Sequence, residues 1–500
     1  MYLLAAFMTM AIRLALIPKM PIPEPYVHDE FSYLLGAETF MSGRITNPAH
    51  PMWEHFETFH ELMQPTYMTK YPPAQSLFLA LGWKLFGHPW FGVLISCGFF
   101  IASFCWMLQN WSPPVYAILG TAVMMAHIAL FSYWMNSYWG GAIAAGAGCL
   151  LLGTLPRLAR QVKPIHAGIA AFSLVLLANT RPYEGLVFSG ATFFALLYWR
   201  KRQRRSVKEL LALRCVIPFA LVFGSGLVFT GYYNYRVTGS PLQMPYYLYS
   251  RDYAAAPEMI IFPERKPPVY RHAEMEKYYM GPDLADYRKA RSNPTRHVSY
   301  ALEFYTPVLY LFPIAIAILL VPSYRVYSAT AIAICVGCSF LIDDSKWPHY
   351  IAAGVGLLAI VVIYGFRLMR VTSKRLGPSF VMIFVALMCA QLAYCHLFEP
   401  PTFPERNTGD TSLRDSVAQS CLKQGGRHLI LVHYSADHDF NHEYVYNSAN
   451  IDASDIVWAH DMGKEKNQEL VDYYHNSRKV WLWQPDTDPD NLIPYQTSAN

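Results

Sequence analysis

Charged side chains are scarce in this sequence. Asp, Glu, Lys and Arg make up 15% of its 500 residues, where soluble domains carry about 25%. Hydrophobic residues reach 53% and the mean hydropathy is +0.17, which excludes an ordinary soluble domain. A cysteine framework is missing too. Of nine cysteines, eight (Cys97, Cys105, Cys149, Cys215, Cys335, Cys338, Cys389 and Cys395) lie in apolar runs, and only Cys421 lies in a polar one. Neither a disulfide pattern nor zinc-ribbon spacing exists, and Cys335-x-x-Cys338 inside an apolar run reads as packing. No glycine-rich phosphate loop follows a strand-like segment, which argues against nucleotide binding. The N-terminus lacks the basic region and small-residue cleavage site of a secretory signal. "MYLLAAFMTMAIRLALIP" therefore reads as a first span, barely long enough to cross, and a start upstream of Met1 stays open. No basic patch suits nucleic acid, because "WRKRQRRSVK" sits between apolar runs and reads as a topology determinant.

What is present is a series of eleven apolar segments, roughly 1–20, 90–109, 115–134, 140–156, 165–180, 185–200, 213–233, 303–321, 326–342, 349–367 and 379–398. Each approaches the about 20 residues that a membrane crossing needs. The expected fold is a polytopic α-helical membrane protein of about 11 spans. Between the first two, "PPAQSLFLALGWKLFG" is too short to cross and reads as an interfacial helix, and "FSYLLGAETF", behind the acids at 29–30, is expected to lie on the bilayer surface as well. Arg13, within the first span, is expected to snorkel outward. Lys and Arg concentrate in "RLARQVK", "RKRQRRSVK", the turn with Arg325 and "RLMRVTSKR", which all fall on one side, so that side is cytoplasmic. Residues 21–75, residues 234–300 and everything past about 399 fall outside. The first outer loop is acidic: Glu24, Asp29, Glu30, Glu38, Glu54, Glu57 and Glu61 face only Arg44 and Lys70. The division is 1–398 as a membrane unit and 399–500 as a small outer α/β unit. There "RHLILVHY", "SDIVWAHDM" and "RKVWLWQP" read as strands, and "EKNQELVDYYHNS" as a helix.

With the topology set, six polar clusters share the outer face: "HDE" (28–30), "TKYPP" (69–73), "MNSYWGG" (135–141), "NTRPYEG" (179–185), "YNYRVTGSP" (233–241) and "DDSKWPHY" (343–350). Ionisable groups at membrane depth are costly, so this convergence points to a cleft opening outward. Each member also has a plainer reading. Asp29 and Glu30 could be solvated loop acids, and Lys70 and Lys346 snorkelling anchors. Arg181 could pair with Glu184, His349 and Tyr350 could form an interfacial aromatic pair, and Asn136 could cap the next span. His55 with His60, and His438 with His442, could be metal ligands but read more readily as solvated loop histidines, and no metal ligand set is assigned. One carboxylate pair, several cations and a lipid-facing location suit a donor carried on lipid phosphate. Lys and Arg would hold the phosphate, and a carboxylate would take the proton of an acceptor hydroxyl. Asp29 and Glu30 are thus the catalytic candidates. Lys70, Arg181, His349 and Lys346 are the phosphate candidates, and Asn136, Tyr138, Glu184, Arg236 and Tyr350 the further cleft candidates.

The order of these features resembles the GT-C membrane glycosyltransferases, in particular the branch with protein O-mannosyltransferases and the lipid A aminoarabinose transferase. The resemblance rests on "HDEFSYLLGAETFMSGRITNP" after the first span and on "KYPP" before an interfacial helix, with weaker support from "YNYRVTGSP" and "PHY". It spans about residues 20–370. It implies a polyprenyl-phosphate-linked sugar as donor, inversion at the anomeric carbon, Asp29 as general base, Glu30 as its neighbour orienting acceptor or metal, and Lys70 at the donor phosphate. The acceptor would be an envelope lipid, glycan or protein, and the place the outer face of a bacterial cytoplasmic membrane, with the site and the C-terminus outside the cytoplasm. Relatives often carry another acid where this chain has Asn136. No cofactor is assigned, and a divalent metal stays open. The competing classes are a transporter or flippase, disfavoured because the unusual residues gather on one face without a visible repeat, and an envelope-binding scaffold.

The topology is directly testable. A reporter fused after Asn500 is expected to be active only outside the cytoplasm, and one inserted within 201–208 only inside. Activity on the same side would remove the basis for a one-sided cluster.

Overall fold

The structure, a computed structural model, describes residues 1–344, 347–372, 377–398, 408–475 and 477–496. Helices α1 (Tyr2–Ala15), α2 (His28–Met41), α3 (Ala74–Phe86) and α4 (Trp90–Trp111) come first. Around them pack later helices, including Ala142–Arg160, Pro164–Ala178, Pro182–Arg202, Leu213–Thr238 and Tyr324–Phe340. Among the described residues, four helices are long and apolar enough to cross a membrane: Trp90–Trp111, Ala142–Arg160, Leu213–Thr238 and Pro348–Thr372. A fifth crossing is obtained if Val298–Tyr305 and Val308–Leu320, bent by 87° at their junction, count as one. Five shorter apolar helices cover Tyr2–Ala15, Pro114–Leu130, Pro164–Ala178, Tyr324–Phe340 and Gly377–Gln391. The chain is a multi-pass membrane protein.

Outside the helical body, the first loop forms a small antiparallel sheet of β1 (Asn47–Pro48), β2 (Glu61–Leu62) and β3 (Thr66–Thr69) in the order β1-β3-β2. The tail carries β4 (His428–Val432), β5 (Ile456–His460), β6 (Lys479–Gln484) and β7 (Asp488–Pro494). Their order is β5-β4-β6-β7. β4 runs parallel to both neighbours, while β7 is antiparallel to β6. A helix, Lys464–Tyr473, connects β5 to β6. Strand β7 and the helix Thr408–Gln424 add to the elements legible in the sequence. β4 is continuously buried, the mark of a strand covered on both faces.

Helix α3 carries Leu77, Leu81 and Leu85, all exposed, at positions i, i+4 and i+8. These line one helix face, and an apolar face turned outward is what an interfacial helix needs. α2, in contrast, does not lie on the bilayer surface. Tyr33 and Ala37 pack into the membrane core, while Leu35 packs with Leu429, Leu431 and Val457 of the tail sheet. α2 is therefore held between the helical body and the tail. Arg13 does not snorkel outward either. It is fully buried, donates to the Met20 and Pro21 carbonyls at 2.9 and 3.3 Å and to Asn136 Oδ1 at 3.0 Å, and lies 4.8 Å over the Trp90 ring. Three acceptors inside the protein take N–H groups of the guanidinium, while its Nε has no partner among the described residues.

The α3–α4 hairpin depends on two glycines. A Cβ at Gly92 would stand 2.1 Å from the Phe78 carbonyl oxygen, and one at Gly82 would stand 1.9 Å from the Gly92 nitrogen. Both contacts are with backbone, so relief requires the helices to separate. Gly92→Ala is expected to destabilise the protein by about 1–3 kcal/mol, the usual cost of overpacking, read as a lower Tm in detergent. An unchanged Tm would show that the helices can part freely.

Candidate active site

A cavity of about 540 Å³ lies where α2 begins, β3 ends and the tail closes over the helical body. Its position follows from how the chain leaves α1. Glu30 is the third residue of α2, and its Oε2 accepts the main-chain N–H groups of Tyr26 (2.8 Å) and Val27 (3.1 Å). Carboxylates near a helix N-terminus satisfy amides that the helix leaves open and oppose its dipole favourably. Oε1 accepts a third amide, that of Tyr138, at 2.8 Å. Glu30 is fully buried and is absent from the cavity wall. It was expected as the partner of Asp29 in chemistry. Both of its oxygens accept backbone donors instead, so it holds the start of α2 in place.

Asp29, one residue earlier, turns the other way and lines the cavity. Its side chain is 25% exposed. Oδ1 accepts the Tyr71 hydroxyl, and Oδ2 stands 3.9 Å from His60 Nε2. The hydroxyl orients the carboxylate and leaves Oδ2 toward the cavity. Lys70 follows β3, and its Nζ lies 5.2, 5.1 and 4.9 Å from the ring centres of Tyr71, Tyr246 and Tyr249. Ammonium groups within about 6 Å of aromatic faces gain cation–π attraction. Burial pushes Lys70 down to about 8 against the pull of Asp29, Asp283, Asp344 and Glu258. Burial raises Asp283 to about 7, with Lys70 opposing, and raises Asp344 to about 7 beside Asp283 and Glu258. The cavity wall therefore holds groups whose charges change near neutrality, a pattern enriched at functional sites.

Arg181 lines the same cavity, with its guanidinium carbon 4.1 Å over the Tyr350 ring. It precedes the helix Pro182–Arg202, whose buried Glu184 lies off the cavity and interacts electrostatically with Arg181. His349 and Tyr350 also line the cavity. The His349 ring is buried, with Nδ1 2.8 Å from the Tyr133 hydroxyl.

Asp29, Lys70, Arg181, His349 and Tyr350 thus meet in one space, while Glu30, Asn136, Tyr138, Glu184 and Arg236 are not on its wall. Asn136 gives its amide to the Leu130 and Ser132 carbonyls and accepts from Arg13. Tyr138 is buried and donates its hydroxyl to the Pro23 carbonyl at 2.8 Å. Glu184 sits behind Arg181, and Arg236 is exposed, bonded to the Tyr232 hydroxyl at 2.8 Å. Lys346 lies outside the described residues. The sequence reading missed the tyrosine ring around Lys70, the carboxylates Glu258, Asp283 and Asp344, and the tail residues Asp439 to His442, all on the wall. Tyr71 and Asp344 stood inside the quoted clusters. The others come from loops whose approach only the tertiary fold decides.

No family model and no curated protein sequence matches the chain. Among solved structures it is similar to ArnT from Cupriavidus metallidurans. With undecaprenyl phosphate bound, the TM-score is 0.55 at 12% identity, over 96% of this chain and 93% of that one. The apo form gives 0.55 at 13% identity with the same coverage. The oligosaccharyltransferase of Archaeoglobus fulgidus matches at TM-score 0.45 and 10% identity, over 96% of this chain and 69% of that one. The fold shared with ArnT is the GT-C fold.

Glu30→Gln tests the anchoring role. A glutamine oxygen can accept two amides at most, and its NH2 would face the third. Losing charge-assisted bonds in a buried site is expected to cost about 2–5 kcal/mol, seen as a lower Tm. An unchanged Tm would return Glu30 to the chemistry.

Proposed function

We propose that this protein is a glycosyltransferase that moves a sugar from a polyprenyl-phosphate donor to the hydroxyl of an envelope acceptor, a lipid, glycan or protein. The place is the outer face of a bacterial cytoplasmic membrane. The observation that carries the reading is one cavity in which a partly exposed carboxylate, Asp29, shares the wall with two aromatic-backed cations, Lys70 and Arg181. The volume, about 540 Å³, falls in the range of about 300–1,000 Å³ usual for small-molecule sites. A second, apolar groove of about 280 Å³ is lined by Leu302, Ile314, Phe340, Ile351 and Val361 among others. The segment Pro348–Gly354 contributes His349 and Tyr350 to the first cavity and Ile351 and Gly354 to the second. A phosphate in one with its prenyl tail in the other suits such a pair. The likeness of fold to ArnT, solved with undecaprenyl phosphate, supports the same donor class.

In this reading the acceptor oxygen attacks the anomeric carbon while Asp29 Oδ2 takes its proton. The bond from that carbon to the phosphate oxygen breaks, and the electron pair leaves with the polyprenyl phosphate. Lys70 and Arg181 neutralise the charge that develops there, in a site where reduced water strengthens the attraction. A single displacement inverts the anomeric centre. Arg181 offers a planar fork and Lys70 a point charge. The Tyr71 hydroxyl, bonded to Asp29, fixes the base. Eleven crossings, obtained by adding the shorter helices and Pro182–Arg202 to the long ones, would place this cavity outside, with 399–500 as an α/β unit on the same side.

Purified protein with a labelled polyprenyl-phosphate sugar tests the assignment, since sugar release separates transfer from flipping. Asp29→Asn is expected to keep donor binding and to slow turnover at least about 100-fold, within the about 10²–10⁴ ascribed to a general base. Near-normal turnover would sink the role of Asp29. Lys70→Ala and Arg181→Ala should each cost about 2–5 kcal/mol in donor binding or transition-state stabilisation, and Arg181→Lys should restore only part.

A pH profile gives an independent check. Lys70 loses its charge as pH rises through about 8, so kcat/KM should fall on the alkaline side of that value. Lys70→Arg should move the fall to higher pH. A profile flat to pH 10 in the wild type would exclude Lys70 as the phosphate cation.

A further inference from the structure

Away from the cavity, three buried side chains from two distant segments meet: His272, Glu274 and His460. One potential ligand atom from each lies within 4.8 Å of the others. His272 and Glu274 belong to the second outer loop, at and just inside the start of the short helix Ala273–Tyr278. His460 is the last residue of β5. The imidazoles are already oriented. His272 Nε2 is 2.8 Å from the Glu54 carbonyl and His460 Nε2 is 2.9 Å from the Glu57 carbonyl. A carbonyl only accepts, so each ring must carry its hydrogen on Nε2, and Nδ1 of the neutral ring keeps a bare lone pair. That is the arrangement of a metal-binding histidine, whose second nitrogen donates to a carbonyl or carboxylate.

Each of the three residues is buried and brings a potential ligand atom within 4.8 Å of the other two. Two imidazoles and a carboxylate packed this closely suit a shared cation. A fourth residue points the same way. His438 is buried, its Nδ1 is 2.7 Å from Asp486 Oδ1, and its Nε2 has no partner. Its ring stacks on Tyr434 at 3.9 Å, and Tyr434 meets the His460 ring at 5.8 Å.

We propose that His272, Glu274 and His460 form a site for a divalent transition metal of the zinc type, with His438 beside it as the candidate for the fourth position. Two imidazoles and one carboxylate are a ligand set that Zn2+ accepts in tetrahedral sites. The His272 and His460 rings now lie face to face, 4.0 Å apart. To close on an ion they must tip about their Cβ–Cγ bonds, which hydrogen bonds to carbonyl oxygens tolerate because those accept over a broad range of directions. The ion would join the first outer loop, through the Glu54 and Glu57 carbonyls, to the second outer loop and to the tail sheet. These are the segments that close the outer end of the cavity. The role is a clamp, and it stands whether or not the cavity transfers a sugar.

The test uses the full-length, tag-free protein in detergent, dialysed against a metal buffer. Wild type is expected to bind one equivalent of Zn2+, to show the visible spectrum of tetrahedral cobalt when Co2+ is used instead, and to lose Tm on treatment with EDTA. Glu274→Gln keeps the shape of the site and should weaken Zn2+ binding about 100-fold or more, since even outer-shell changes cost about 10–100-fold. His272→Ala combined with His460→Ala should abolish binding and make the Tm indifferent to EDTA. Wild type that binds no Zn2+, or binding that survives both Glu274→Gln and the double variant, would overturn the proposal.

Discussion

Two buried charges stitch residues 20–30 to residues 136–138. Arg13 donates to the Met20 and Pro21 carbonyls and to Asn136. Glu30 accepts the amides of Tyr26, Val27 and Tyr138, and the Tyr138 hydroxyl returns a bond to the Pro23 carbonyl. In both cases main-chain dipoles meet the buried charge, which lowers the penalty of burial. The link between α1 and α2 contains four prolines, Pro18, Pro21, Pro23 and Pro25. Proline supplies no N–H, so few ladder bonds could fix this segment. The two side chains supply what the backbone cannot. Because Glu30 is held on the inner side of α2, its neighbour Asp29 is turned to the cavity. The outer face depends on this fixation more than on any group that meets a substrate.

The cavity itself is a balance of opposite charges in reduced solvent. Lys70 would be costly there alone. Three tyrosine faces and four carboxylates keep it cationic below about pH 8. Asp283 and Asp344 in turn are held near neutrality by burial. Such a wall can exchange protons with little cost, and an anionic phosphate entering it would draw Lys70 toward its charged form. The aromatic backing also keeps the ammonium from pairing tightly with one carboxylate, so it stays available to a ligand.

Much of this was legible in the sequence, and the limits have physical causes. Apolar runs of near-spanning length and the one-sided Lys and Arg identify the helical body, because the bilayer imposes both. Asp29, Lys70, Arg181, His349 and Tyr350 could be gathered from the outer ends of those runs, since a span places its ends with little freedom. Asn136, Tyr138, Glu184 and Arg236 sit at similar heights but point elsewhere. Depth follows from hydropathy, whereas direction around a helix axis or along a loop is set by packing that hydropathy does not encode. Glu30 and Asp29 show this most sharply. They are adjacent, equally charged and oppositely employed, and only the three amides around Glu30 separate them. α2 looked like a surface helix because its apolar residues were counted against lipid, while Leu35 packs on a tail sheet that begins about 390 residues later.

The tail then has a structural reason to be present. The helical body gives the cavity its floor and one side, through Arg181, His349 and Tyr350. The first loop gives Asp29 and Lys70, and the second gives Tyr278 and Asp283. Without the tail the space would be open where Asp439, Phe440, Asn441 and His442 now stand. The Phe440 carbonyl, 2.8 Å from His28 Nε2, ties this rim to the residue beside Asp29. The Asn447 carbonyl accepts from Tyr67, and the Ala449 amide gives to Glu38, at 3.0 and 2.9 Å. The tail is thus registered against α2 at two points and against β3 at a third. A shift of the tail would move the cavity's outer wall and the start of α2 together. Whatever enters the cavity past that rim meets a wall set by the same contacts that place Asp29.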